Sequence, residues 1–202
     1  MKNISKILIT VLSIILFSSS SQAVNKILSI GDNDSKVTVK VFSSLTCPHC
    51  AHFHENIFYN LKKEFISQNK VKFEHHSFPL DLAALNAEII VRCHIDNEKK
   101  FQLLSEIYKK QNLWAVGSDI NVINDSIKKI GKEIGLKESN MDKCLKDESV
   151  QEKILNERIN AQKEYKITST PSIFINEKKY NGKHDYSEFK EELEKILKKS
   201  EI

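Results

Sequence analysis

Two cysteines three positions apart, in Cys47-Pro48-His49-Cys50, stand where a β-branched run ends and a helical periodicity begins. That junction restricts the fold more than any other feature of the chain. Upstream, Val37-Thr38-Val39-Lys40-Val41-Phe42 reads as a buried strand. Downstream, Phe53, Ile57, Phe58, Leu61 and Phe65 recur at helical spacing as far as about Gln68. Val71-Lys72-Phe73-Glu74-His75 then alternates as a second strand. Two strands joined by a helix of this length predict a parallel βαβ unit.

The spacing also suits a specific chemistry. Disulfide exchange needs one cysteine that ionises near neutral pH and a second close enough to resolve a mixed disulfide. Proline at the first helical position is preorganised for a helix start. Pro48 therefore predicts Cys47 as the N-cap, with its sulfur accepting from the amides of His49 and Cys50. A thiolate there also feels the positive end of the helix dipole. His49 adds a donor, or a charge when protonated, beside it. Cys50, one turn further in, is expected to be more buried and to resolve. The competing readings are a zinc half-site and a static small-loop disulfide. Structural zinc usually takes four N or S ligands, and no second Cys or His pair of suitable spacing is present.

Beyond the first unit the pattern changes. Residues 81–166 show four helical stretches, about 81–94, 97–111, 119–134 and 140–165, with no strand and no proline. Phe101 and Trp114 read as core of this block. Ser172-Ile173-Phe174-Ile175 returns to strand pattern, and Lys178-Lys179-Tyr180 can pair antiparallel with it across Asn176-Glu177. A terminal helix is predicted over 187–198. The order is β-α-β, a helical insertion, then β-β-α. Neither half completes a sheet alone, so one α/β domain is expected over 24–80 and 167–202, with 81–166 inserted as an all-helical subdomain. Thr170-Pro171 stand just before the third strand, at its first position, where proline is tolerated.

The first residues read as an address. Lys2 and Lys6 precede an apolar run from Ile7 to Phe17, then a serine-rich stretch with small residues at Ser21 and Ala23. This predicts a signal peptide over 1–23, cleaved before Val24. The run is shorter than the roughly 20 residues of a membrane span. An exported chain meets an oxidising compartment, where disulfides persist. Cys47, Cys50, Cys93 and Cys144 permit three pairings. The adjacency of the first two favours Cys47–Cys50, leaving Cys93–Cys144. The net charge is only +4, and lysines alternate with acids along the helical stretches. Those runs read as solvated faces, not as a nucleic-acid footprint.

Taken together, Leu45-Thr46-Cys47-Pro48-His49-Cys50, the helical block, Thr170-Pro171-Ser172-Ile173-Phe174-Ile175-Asn176 and Tyr180-Asn181-Gly182 resemble the DsbA family of bacterial disulfide oxidoreductases. The resemblance implies a thioredoxin-like fold. It implies Cys47 as nucleophile, Cys50 as resolving thiol, Pro171 as a cis proline and Thr170 as its substrate-contacting neighbour. It implies a periplasmic donor of disulfides to newly exported, Cys-containing proteins, reoxidised by a quinone-linked membrane partner. It also implies a second disulfide, Cys93–Cys144, that is structural and tunes the site. No cofactor, metal or nucleic acid is expected. The segment from Val24 to Gly31 is too short for an oligomerising extension, so a monomer is expected.

The chain also departs from the family pattern. Relatives often carry a buried acid six residues before the first cysteine, where this chain has Val41. His54 lies one turn after Cys50 on the helix and becomes the candidate for proton transfer there. It equally suits a core histidine, since it shares the apolar side with Phe58, Leu61 and Phe65. His52 is expected to face solvent near Glu55 and Lys63, His75 and His76 to lie at a strand end, and His94 and His184 to stand alone. A disulfide isomerase or reductase of the same fold, and a periplasmic metal-binding or holdase protein, are the alternative functions.

Overall fold

The computed structural model describes residues 27–200. The expected signal peptide lies outside them. A five-stranded sheet has the order β1-β3-β2-β4-β5. At its centre, β2 (Val37–Ser43) runs parallel to β3 (Val71–Ser77), as the βαβ reading requires. The strand β4 (Ser172–Ile175) returns antiparallel on the other side of β2. The edges are β1 (Leu28–Ile30), antiparallel to β3, and β5 (Lys178–Lys179), antiparallel to β4.

β3 alternates buried and half-buried residues throughout, and β2 does so until its last three residues, which are all buried, so the sheet has two unlike faces. One face carries Val37, Val39, Val41, Val71 and Phe73 into the main core. The crossover covers it as α1 (Pro48–Phe53), a π turn (His54–Phe58) and α2 (Tyr59–Glu64). Phe189 and Leu193 of α9 (Tyr186–Ser200) complete this layer. The other face packs Phe42, Phe174 and Phe78 against Ala161 and Ile167. Lys40 also lies on that side, its Nζ 2.6 Å from Glu177 and 3.0 Å from the Tyr165 hydroxyl.

Between β3 and β4 the described residues hold six helices. They are α3 (Leu82–Arg92), α4 (Asn97–Lys109), α5 (Gln111–Trp114), α6 (Ile120–Glu133), α7 (Glu138–Leu145) and α8 (Glu148–Glu164). Aspartate N-caps set most of the starts. Asp81, Asp96, Asp119 and Asp147 each accept from an amide in the first turn of the helix they open. The predicted single helix over 140–165 is broken for this reason. Asp147 accepts from Ser149 N at 3.0 Å and starts α8 afresh after α7 ends. Asn112-Leu113-Trp114, which fall between the helical stretches expected over 97–111 and 119–134, form most of the short α5. Phe101 and Trp114 are buried in the main core.

Cys93, at the C-terminal end of α3, is bonded to Cys144 on α7, with Cα atoms 6.0 Å apart and a sequence separation of 51. A link of that span removes loop entropy from the unfolded chain equivalent to about 4 kcal/mol. Replacing both by alanine is therefore expected to lower the unfolding free energy by up to about 4 kcal/mol. Denaturant melts of the double variant and parent check this, and equal midpoints would contradict it.

Candidate active site

The segment after β2 is held before it reaches the first cysteine. Cys47 N donates to Ser44 O at 3.2 Å, closing a turn. Thr46 Oγ1 donates to Asp81 Oδ2 at 2.7 Å, the same carboxylate that caps α3. From α5, Gln111 Nε2 donates to Leu45 O at 2.7 Å and Cys47 O at 3.1 Å. The helical block thus grips the approach to the dithiol from two sides. Sequence reasoning missed Gln111, which has no motif around it and reads as one more polar residue at a helix end.

Cys47 is the N-cap of α1, in extended conformation, with Pro48 in the first turn. Its carbonyl accepts from Cys50 N at 3.0 Å and Ala51 N at 3.2 Å. One expectation changes here: the Cys47 side chain makes no capping hydrogen bond. The amides of Cys50 and His49 favour its anion as nearby dipoles. Their effect is secondary. The Cys50 thiol, hydrogen-bonded to Cys47, is the main cause that lowers Cys47 to about 5, against the opposing effect of burial. Thr170 lowers it further. Cys50 moves the other way. Burial first, and then the neighbouring Cys47 sulfur, push its thiol far above the ordinary range. Cys47 keeps 8% of its surface exposed and Cys50 only 1%, so an incoming thiolate meets Cys47. His49 and Pro48 are exposed at the helix start.

The Thr170–Pro171 peptide is cis. Thr170 O lies 3.4 Å from Cys47 Sγ, which donates to it when protonated. The Thr170 hydroxyl is buried and, among the described residues, has no hydrogen-bond partner. Its proximity to Cys47 leaves it free to donate once the sulfur ionises.

His54 takes the core alternative. It is buried, its ring is stacked on Phe58 at 4.4 Å, and burial lowers its pKa to about 3. Its Nε2 lies 2.8 Å from Ser105 Oγ. That hydroxyl donates to Phe101 O, so Nε2 carries the hydrogen and donates to Ser105. Among the described residues no hydrogen bond joins His54 to Cys50, and a neutral ring committed to Ser105 is a poor proton shuttle. His52 is exposed and bonded to Asn56. His76 pairs with Glu74 at 3.1 Å. His75 is buried and meets Glu88 at 2.7 Å, a contact no sequence signal announced. Neither His94 nor His184 stands alone. His94 Nδ1 accepts from Asp96 N at 3.0 Å. Burial, then the charges of His49 and His52 on the dithiol helix, lower the pKa of His184. Among the described residues no three His, Cys, Asp or Glu side chains are arranged to hold a metal ion.

A sequence profile described as Thioredoxin matches residues 23–195. Disulfide bond formation protein D of Bacillus subtilis is 32% identical over 179 residues, which span 84% of this chain and 76% of that protein. A Rickettsia bellii protein named provisionally as a protein-disulfide oxidoreductase is 33% identical over 147 residues, or 73% of this chain. The chain spans only 56% of that protein's length. Among solved structures, Wolbachia pipientis alpha-DsbA1 superposes with a TM-score of 0.79 at 25% identity, over 87% of this chain and 92% of that one.

With Cys47 at about 5 when folded and near 8.5 when unfolded, ionisation stabilises the reduced protein. The contribution is complete above the unfolded value and is lost as pH falls through the folded one. Thiolate absorbance near 240 nm is expected to titrate with a midpoint close to 5. The melting temperature of the reduced form should fall from pH 9 towards pH 5 relative to the oxidised form, which has no such thiol. A midpoint above about 8 would show an ordinary cysteine.

Proposed function

The chain belongs to the thioredoxin family, among its DsbA-like protein-disulfide oxidoreductases, and from that premise we propose that it donates the Cys47–Cys50 disulfide to newly exported proteins in the periplasm. The observation that carries the reading is the asymmetry of the pair. One sulfur is a stabilised anion that keeps a little of its surface open, and the other a fully buried thiol that holds its proton. Stabilising the reduced state in this way makes the disulfide a better oxidant.

In the forward reaction a substrate thiolate attacks Cys47 Sγ. A mixed disulfide forms, and Cys50 leaves. A second substrate thiolate then attacks the substrate sulfur and expels Cys47. Its low pKa makes Cys47 a good leaving group, so this release is fast. If the second substrate thiol is absent, Cys50 attacks Cys47 and recovers the disulfide. The backbone at Thr170 and Pro171 supplies polar groups beside the sulfur for an extended substrate segment. Exposed apolar side chains flank the site. Leu80 and Leu82 bracket the Asp81 that holds Thr46, and Leu113 and Val116 follow Gln111. Such a collar suits unfolded segments better than one folded partner. We place the protein outside the cytoplasm as a monomer, returned to the disulfide form by a quinone-linked membrane protein.

The reduction potential separates a donor from a reductase or isomerase of the same fold. Equilibration with glutathione is expected to give a value above about −180 mV, whereas a value near −270 mV, the thioredoxin range, would overturn the donor reading. Cys50→Ala is expected to accumulate a mixed disulfide when its Cys47 thiolate attacks a disulfide-bonded peptide and expels one of the peptide's sulfurs, because no resolving thiol remains. Attachment through any other cysteine would also contradict the assignment.

A further inference from the structure

One step of disulfide donation lacks a proton donor. When substrate attacks Cys47, the electron pair of the broken bond passes to Cys50 Sγ. A buried sulfur with so high a pKa is a poor leaving group unless a proton arrives as it departs. Cys47, its hydrogen-bond partner in the dithiol, is tied up in the mixed disulfide at that moment. Val41 on β2 offers no ionisable group, and His54 is committed to Ser105.

Resting on the disulfide-donor reading, we propose that Tyr108 relays a proton to Cys50 from the buried His75–Glu88 pair. Tyr108 sits on α4, which packs against α1, and is only 2% exposed in the same buried cluster as Cys50, with its ring 4.8 Å from that of His54. Among the described residues its buried hydroxyl has no hydrogen-bond partner, although a buried hydroxyl normally finds one. Ser43 approaches it without reaching hydrogen-bond geometry, and the charges of Cys50, Glu88 and Cys47 act on it. Burial, then Cys50 and Glu88, keep the phenol protonated, so it stands as a neutral donor. Ser43 is the register partner of Ser77 across β2 and β3. Ser77 Oγ donates to Glu88 Oε2 at 2.8 Å, and His75 Nε2 lies 2.7 Å from Glu88 Oε1. Burial disfavours the Glu88 anion, but His75 outweighs it and holds the carboxyl low. The network continues outward through Arg92 Nη2, which donates to Ser77 Oγ and to Glu157 Oε2, each at 2.8 Å.

The substrate thiolate bonds to Cys47 Sγ as the Cys47–Cys50 bond breaks. Tyr108 gives its proton to Cys50 Sγ and takes one from the His75–Glu88 pair, which solvent refills. The second substrate thiolate closes the substrate disulfide and returns an electron pair to Cys47, which stays ionised. The substrate loses two electrons and two protons. Of these protons, Cys50 retains the equivalent of one and solvent receives the other.

The test uses the full chain, oxidised at Cys47–Cys50 and mixed in a stopped-flow instrument with a reduced two-cysteine peptide. Tyr108→Phe is expected to slow the first exchange by about 10- to 100-fold, the scale of a positioned proton donor. It should melt no lower than parent, because it removes an unpaired buried hydroxyl. The Cys47 titration should not move. Glu88→Gln should slow the same step, and the double variant should be no slower than the slower single one, since both act on one route. An unchanged rate in Tyr108→Phe would overturn the relay, as would a lower melting temperature, which would show a structural hydroxyl. If Glu88→Gln does not fold, the rate and stability of Tyr108→Phe decide alone. Parent protein that fails to oxidise the peptide would instead sink the donor reading itself.

Discussion

One hydrogen bond, from the Cys50 thiol to the Cys47 thiolate, sets the character of this molecule. It makes two chemically identical side chains unequal. The donor is sealed in the core and keeps its proton, while the acceptor lies at the start of α1 with part of its surface open. The helix amides and Thr170 add to the same polarisation. Because the anion exists only in the reduced state, everything that favours it drives electrons into the protein. Oxidising power here is a stability difference between two redox forms, written in hydrogen bonds and burial.

The rest of the fold protects that inequality. The sheet supplies a rigid base through β2, and the helical block closes around its end. Asp81 and Gln111 come from different helices, yet both end on residues 45–47. Asp81 also caps α3, and Gln111 also opens α5. The core is continuous across this boundary, with Cys50, Phe53, Tyr108 and Trp114 in a single cluster. The disulfide between α3 and α7 ties the block together on its own account. The inserted helices are therefore joined to the residues around Cys47 by short polar contacts.

Much of this was legible in the sequence because it is local. A β-branched run, a CxxC and a helical period in succession specify a strand, a cap and a helix within thirty-odd positions. The insertion, the return of strand pattern after Thr170-Pro171 and the terminal helix are equally local signals. What escaped depends on residues distant along the chain, or on cap geometry. Asp147 interrupts a helical period that otherwise runs unbroken, and only the cap reveals the stop. Periodicity placed His54 on the apolar side, but its partner Ser105 lies 51 positions away. Glu88 sits in a helix of apolar residues and looks like an exposed acid until His75 and Arg92 close over it. Buried polar pairs of this kind are chosen by tertiary neighbours, and no period or motif announces them.

The inequality of the two sulfurs can be measured directly by alkylation. The reduced full chain is treated briefly with iodoacetamide at pH 6, and labelling at each cysteine is read by mass spectrometry, native and then unfolded. Native protein is expected to be labelled at Cys47 alone, with Cys50 reacting only after unfolding. Equal labelling of the two, or no labelling of Cys47 until the pH approaches that of an ordinary thiol, would show that the pair is not polarised in this way.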